Sequence, residues 1–308
     1  MFDFVKNQKI FITISVIVCS FSLLGWIFFG LKPGVDFKGG SLMEVKFSEK
    51  NETAEIKEKL NSLNLGGLIV KSAEQNKIVL KLKEIDEKTH QEILKTLGNP
   101  QEIKFTLIGP TISQELISKA WWAIILAIIS IIFYIAWSFR KISRLFGAAE
   151  SWRWGLGAII ALLHDILVIV GFFVFLGYFK GVEIDANFVT AILVVIGYSV
   201  NDTIVVYDRI RENLLFSKSN NLPLIVNKSL NETIVRCLNT SLTVIIAILA
   251  VYLFGGASIK YFALAMIVGV TTGTWSSLFV ATPFILSGRK VAPAFAKATV
   301  GRPEKAKK

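Results

Sequence analysis

The chain has 308 residues, 53% of them hydrophobic and only 19% charged, with a mean hydropathy of +0.57 and a net charge of +11. Soluble globules carry about 25% charged residues, and the shortfall here comes from long uncharged runs, which places most of the chain in a bilayer and excludes a secreted enzyme, a cytosolic enzyme and a disordered tail protein. The cysteines, Cys19 and Cys237, cannot build a disulfide framework and lack metal-ligand spacing, so no metal or cofactor is expected.

Residues 10–31 form the first run without Asp, Glu, Lys or Arg. A helix crosses the hydrocarbon core in roughly 20 apolar residues. Lys6 and Lys9 precede the run as in a signal peptide, but it is longer than a usual apolar signal core and has no A-x-A-like end. An uncleaved anchor is expected, with 1–31 forming the first unit.

Residues 32–118 are dense in charge and balanced, with 13 basic and 13 acidic side chains. Leu42–Phe47 alternates as a strand does, and Ile56, Leu60 and Leu63 recur at helical spacing. Leu68–Ser72 and Lys77–Lys83 are two further strands about a turn at Ala73–Asn76. Glu87–Leu97 follows as a second helix and Glu102–Ile108 as a fourth strand. The order βαββαβ predicts a small ferredoxin-like α+β domain. It shows no cluster of His, Cys or paired acids, and His90 is expected to be an exposed bystander on a charged helix face.

Five more spans are predicted over 120–139, 154–179, 186–207, 237–259 and 261–288, so that 119–288 is a five-helix bundle and 289–308 a basic tail. With six alternating spans, 18 basic residues fall on one side, among them Lys6, Lys9, Arg140, Arg209 and the tail lysines, against Lys180 and Lys260 in the short loops opposite. The positive-inside rule puts both termini in the cytoplasm and 32–118 outside. Topology thus accounts for the net charge, and no basic segment interleaved with aromatics points to nucleic acid. Trp26, Trp121, Trp122 and Trp137, Trp152, Trp154 fit two interfacial belts, whereas Trp275 lies inside the sixth span.

Two of the predicted spans carry an acid. A charge at mid-bilayer costs roughly 2.5–3.5 kcal/mol on insertion scales, so it needs a partner or a task. Asp202 stands in Gly197–Thr203, with Ser199 one turn earlier on the same face and Asn201 and Thr203 adding polarity. Burial favours the protonated carboxyl and a nearby cation the ionised one, so a group held between the two can exchange protons. Arg236, followed by Asn239, Thr240, Ser241 and Thr243, is the available cation, either pairing with Asp202 or snorkelling to headgroups. Asp165 follows His164, and neighbours in sequence point to different helix faces. Asp165 is either a second relay acid or a helix–helix hydrogen bond, and a metal site lacks a third ligand. An Asp165–Asp202 protease dyad would need the two acids at one depth, and they are expected at different depths. Gly269, Gly273 and Ser277 recur every four residues and predict close helix packing, with Thr274 and Ser276 among residues that could line a wet path. Gly34, Gly39 and Gly40 around Asp36 are explained by turn geometry.

Several segments in order resemble the SecD/SecF family of bacterial protein-export subunits, on its SecF side. They are Gly34-Val35-Asp36-Phe37-Lys38-Gly39-Gly40, Ile108-Gly109-Pro110-Thr111, Ala161-Leu162-Leu163-His164-Asp165, Gly197–Asp202 continuing to Asn213, Leu253-Phe254-Gly255-Gly256, and Gly273-Thr274-Trp275-Ser276-Ser277. The resemblance spans about 280 residues and implies one six-span half of a resistance-nodulation-division (RND)-like pair with SecD in the bacterial inner membrane. It further implies association with the SecYEG channel, action on an exported unfolded polypeptide, and use of the proton-motive force without a covalent catalytic site. Asp202 and Arg236 fall where that family has its proton-path acid and arginine. The competing expectations are half of an RND-type lipid or drug transporter and a non-pumping translocon scaffold.

Overall fold

The computed structural model describes residues 2–49, 51–63, 65–72, 76–138, 148–216 and 221–286. Ala73–Gln75 of the predicted turn, Arg140, Lys141 and Arg144 of one basic loop, and the tail lie outside the described residues.

Helix α1, Gln8–Phe29, ends where Gly30 takes φ +64° and returns its N–H to the Trp26 carbonyl at 3.0 Å. A single turn, α2 (Val35–Lys38), leads into the extramembrane domain. This comprises β1 (Gly40–Lys46), α3 (Thr53–Asn61), β2 (Ile69–Ser72), β3 (Lys77–Leu82), α4 (Glu87–Thr96) and β4 (Gln101–Ile108). The sheet order is β2-β3-β1-β4 with every neighbouring pair antiparallel, the ferredoxin-like arrangement the element order predicts. Alternation sorts the faces: Ile78, Leu80 and Leu82 are buried with Met43, Val45, Ile56, Leu60 and Ile93 between sheet and helices. Asp86 caps α4, accepting the Thr89 N–H at 3.0 Å.

His90 departs from expectation. It is 5% exposed, its ring stacks on Phe105 at 4.0 Å, and its nitrogens lie 3.3 Å from Glu87 and 3.2 Å from Glu102. The position sits three residues before Ile93 and seven before Leu97, hence on the face that α4 turns to the sheet. The charges flanking it in sequence belong to the other face.

The remaining spans are α5 (Pro110–Ser138), α6 (Ala148–Lys180), α7 (Ala186–Phe216), α8 (Leu222–Phe254) and α9 (Ala257–Phe279), which continues after Val280 as α10 (Ala281–Leu286). With α1 they make, among the described residues, six helices long and apolar enough to cross a membrane. Several outrun the apolar stretches that announce them, because helical hydrogen bonding continues where the hydrocarbon stops. The clearest case is α8, which starts fifteen residues before its uncharged run. There Leu222, Ile225, Val226, Ser229, Leu230 and Thr233 are buried at helical spacing. The N-terminal segment docks on this extension: the Phe4 and Phe2 N–H groups donate to Asn227 and Asn231 Oδ1 at 2.8 and 3.0 Å.

The bundle is built on α6, α7 and α9, which hold most of its buried residues, while α1, α5 and α8 turn apolar faces outward. Small residues set the spacing. A Cβ at Gly269 would stand 2.3 Å from Val195 Cγ2, one at Gly273 3.0 Å from Ser199 Cβ, and one at Gly171 2.6 Å from Ser22 Cα. Trp275 is held inside, its Nε1–H donating to Ser15 Oγ at 2.9 Å.

Candidate functional site

Close approach of α6, α7 and α9 brings both intramembrane acids into one polar cluster. Asp165 is fully buried and Asp202 is 2% exposed. On Asp165, Oδ2 accepts Ser199 Oγ from α7 at 2.5 Å and Ser276 Oγ from α9 at 2.8 Å, while Oδ1 lies 2.9 Å from His164 Nδ1. On Asp202, Oδ2 accepts Thr274 Oγ1 from α9 at 3.0 Å and Ser241 Oγ from α8 at 3.4 Å. Ser241 and Thr274 also bond each other, and the Tyr198 hydroxyl donates to Ser241 Oγ at 3.2 Å. A third knot ties α7 to α9: Ser277 Oγ donates to the Ser199 carbonyl at 3.1 Å and pairs with Thr203 Oγ1 at 2.8 Å.

The two acids are therefore about one helical turn apart in depth, since Asp165 meets Ser199 and Ser199 precedes Asp202 by one turn. They lie at different depths, as expected, but by no more than that turn. Adjacency in sequence also fails to separate His164 from Asp165, because the imidazole swings along the helix to reach the neighbouring carboxyl. Each serine or threonine hydroxyl carries one proton, so the lattice of donors can be redrawn: Ser276, Thr274 and Ser241 all have a backbone carbonyl within reach as a second acceptor.

Arg236 does not join this cluster. Buried positions on α8 run through Ser229, Thr233, Cys237 and Ser241, four residues apart, which leaves Arg236 on the flank, where it is exposed. No ion pair links it to Asp202 among the described residues, and two hydroxyls occupy the carboxylate instead. Thr240 is exposed and bonds its own helix, with Oγ1 3.0 Å from the Arg236 carbonyl, and Asn201 is exposed as well. Of the polar residues expected around Asp202, Ser199 serves Asp165 and Thr203 serves Ser277. The residues that do hold Asp202, Ser241 and Thr274, come from other helices. Their only signal in sequence is hydroxyl side chains inside apolar runs.

A second feature joins this bundle to the sheet. The Gly34 N–H donates to the Ile184 carbonyl and the Ile184 N–H to the Lys32 carbonyl, both at 2.8 Å. Asp36 Oδ2 accepts the N–H of Ala186, the first residue of α7, at 2.8 Å. Lys81 Nζ from β3 reaches Glu183 Oε2 at 2.6 Å, and Lys71 Nζ from β2 the Gly181 carbonyl at 2.6 Å. The glycine-rich segment thus does more than turn: it clamps the loop between α6 and α7, from which the helix carrying Ser199 and Asp202 begins.

Asp185 sits in this clamp, with Oδ1 3.0 Å from the Phe188 N–H. Burial raises its carboxyl above the usual range, opposed by the Phe188 N–H and Asn187 amide and reinforced by the charge of Asp36. A folded-state value above the unfolded one favours the fold while the group is protonated, and that contribution is lost as pH rises through the folded value. Asp185→Asn keeps the cap and removes the charge. It is expected to raise thermal stability at neutral pH and to flatten the acid-side pH dependence, as read by melting curves of the purified protein from acid to neutral pH.

Comparison with known proteins agrees with this architecture. The family described as protein export membrane protein SecD/SecF, C-terminal, matches residues 89–291, and the SecD/SecF GG motif matches residues 25–50. The chain is 41% identical to the protein translocase subunit SecF of Thermobaculum terrenum, over 93% of this chain and 94% of that one. It is 34% identical to the protein translocase subunit SecDF of Brucella abortus, over 92% of this chain but 36% of that longer one. The crystal structure of SecDF from Thermus thermophilus, described as a translocon-associated membrane protein, superposes with a TM-score of 0.80 at 25% identity, covering 93% of this chain and 38% of that one. With a family match across most of its length and a full-length SecF relative, the chain belongs to the SecD/SecF family of protein-export membrane proteins, as a SecF-type member.

Proposed function

We propose that the Asp165–Asp202 cluster is the proton-coupling element of this SecF-type subunit, which pairs with SecD and uses the proton-motive force in late steps of protein translocation. The carrying observation is that, among the described residues, the groups holding the two mid-span carboxyls are hydroxyls and one imidazole, whose hydrogen bonds can be redrawn when a proton arrives. A structural ion pair would lock the helices; a hydroxyl lattice across α6, α7, α8 and α9 does not.

Protonation of Asp202 removes its charge and weakens the bonds from Thr274 and Ser241, whose hydroxyls then turn to the carbonyls of Val270 and Cys237. The helix α7 is released relative to α8 and α9, and the Asp36 cap carries that displacement into the sheet domain. One elementary charge crossing 100 mV is worth about 2.3 kcal/mol, so a few protons suffice to bias a two-state movement. The SecDF relative has a large segment beyond the matched region, which fits a SecD half covering the outward faces of α5 and α8 and meeting Arg236. The bilayer is the bacterial cytoplasmic membrane, with both termini on the cytoplasmic side and the sheet domain outside. There it works on the unfolded polypeptide emerging from SecYEG, as a transport subunit with no covalent catalytic step.

Asp202→Asn preserves the acceptor oxygen and abolishes titration. It is expected to reduce proton-driven completion of export by roughly a hundredfold, the scale of losing a positioned proton-transfer group, with SecD co-purification unchanged. Native proton-dependent export in energised vesicles carrying this variant would reject the reading.

A further inference from the structure

A groove of about 620 Å³ opens on the side of the bundle between α1, α6 and α10. Its shape follows from where two helices can touch. Small residues let α1 and α6 meet in the half nearer the sheet, where a Cβ at Gly171 would stand 2.6 Å from Ser22 Cα. Further from the sheet the same two helices part. The groove lies between Ile12 and Val16 on one and Ile160 and Leu163 on the other, with Phe284 of α10 completing the wall. It runs from Lys9, at the end of α1 remote from the sheet, to Cys19, near the middle of that helix. Ten residues of helix rise about 15 Å, half of a hydrocarbon core about 30 Å thick. The groove is therefore as deep as one leaflet, the one remote from the sheet domain.

Its walls are hydrocarbon, and the polar groups among them are occupied. Ser15 Oγ accepts the Trp275 Nε1–H at 2.9 Å, and His164 Nδ1 lies 2.9 Å from Asp165 Oδ1. No buried polar side-chain atom among the described residues lacks a partner, so nothing in the groove anchors water. The groove is also open sideways: Val16 and Leu163 on its rim are 57% and 52% exposed. On a membrane span such a rim meets lipid tails, which are as apolar as the rim itself. Among the lining residues one carries a permanent charge, Lys9, and it stands at the mouth, where the phosphates of the headgroups begin. The α5 and α8 faces assigned above to the SecD half contribute nothing to the lining, which leaves this side of the bundle to the bilayer.

We propose that the groove holds one acyl chain of an anionic phospholipid from the leaflet remote from the sheet, with Lys9 Nζ on its phosphate and the Gln8 amide beside it. The chain fills the space that α1 and α6 leave by splaying, where neither helix supplies a side chain long enough to close it. Its far end lies against the His164 ring, with Asp165 on the other side of that ring. A zwitterionic lipid fits the walls equally well and lacks the net charge that Lys9 attracts. The inference rests on the placement of the six helices in a membrane and not on the proton-coupling reading.

The test uses the complex with the SecD-type partner in phosphatidylcholine nanodiscs containing a trace of phosphatidylglycerol or phosphatidylcholine with a photoactivatable diazirine along one acyl chain. Labelled residues are located by mass spectrometry. Ile17, 61% exposed on the opposite face of α1 at the depth of Val16, reports contact with bulk lipid. Relative to Ile17, the phosphatidylglycerol probe is expected to label Val16 and Leu163 about fivefold more than the phosphatidylcholine probe does, the scale of one lysine against an anionic headgroup. Lys9→Gln should remove that difference. Leu163→Trp, which fills the groove from its rim, should abolish the excess labelling of Val16 while the complex melts near the native temperature. Equal labelling of the groove and of Ile17 by both probes means ordinary bilayer contact only and overturns the proposal. A preference that survives Lys9→Gln overturns it too, as does a groove left unlabelled in the complex, which places the SecD-type partner there. If Leu163→Trp fails to assemble, the comparison of the two probes on the native chain decides.

Discussion

Asp165→Ala is expected to destabilise the bundle by about 2–4 kcal/mol, summing three lost hydrogen bonds and the space left behind. The substitution removes the acceptor shared by Ser199 and Ser276 and the partner of His164 Nδ1. Ser276 can fall back on the Gly273 carbonyl at 3.1 Å, so its share of the loss is the smallest. Buried and without such a fallback, Ser199 pays the larger desolvation cost. Asp165→Asn separates structure from titration. Its amide oxygen still accepts a serine hydroxyl, so it should melt within about 1 kcal/mol of native yet lose proton-dependent export. Equal loss of stability in both variants would show that the carboxylate charge, and not the hydroxyl lattice, holds α6 against α7 and α9. Melting of the purified complex and export in energised vesicles read the two effects separately.

Gly40→Ala should disrupt the clamp between sheet and bundle, at a cost of about 3 kcal/mol or more from forbidden backbone and steric contact together. Gly40 has φ +125°, outside the range of L-residues, and a Cβ there would stand 2.5 Å from the Leu82 carbonyl oxygen on β3. Relief requires β1 to shift against β3, which moves Lys81 away from Glu183 and displaces Asp36 from the start of α7. Gly256 provides the control. Its φ of −67° and ψ of 159° are open to any L-residue and nothing lies within 4 Å of the site of a Cβ, so Gly256→Ala should cost under about 1 kcal/mol. Limited proteolysis of the sheet domain and export assays should rank Gly40→Ala far below Gly256→Ala. Similar behaviour would mean that the clamp does not carry the coupling.

Much of this protein could be read from local pattern. Six spans follow from runs of apolar residues, and the four strands from alternation such as Ile78, Leu80 and Leu82, because burial in lipid or against a sheet leaves a direct periodic mark. That Asp165 and Asp202 need buried partners was legible for the same reason, an acid in hydrocarbon being expensive wherever the chain folds. Helix ends were less so: Leu222–Thr233 extends α8 through polar sequence, since hydrogen bonding outlasts hydropathy.

Partner choice was not legible. Arg236 is the cation that stands at the start of a neighbouring apolar run, yet the rotation of α8 points Ser241 inward and Arg236 outward. His90 sits among charges in sequence and is buried in space, because β4 brings Phe105 and Glu102 beneath it. The clamp from Asp36 to Ala186 spans 150 residues and leaves no trace in either segment beyond glycines. Composition and periodicity settle what each helix tolerates and which of its residues are costly to bury. Which hydroxyl meets which carboxyl depends on helix rotation and crossing, set by contacts such as Gly273 on Ser199 between residues far apart in the chain, and so only the packed bundle decides it.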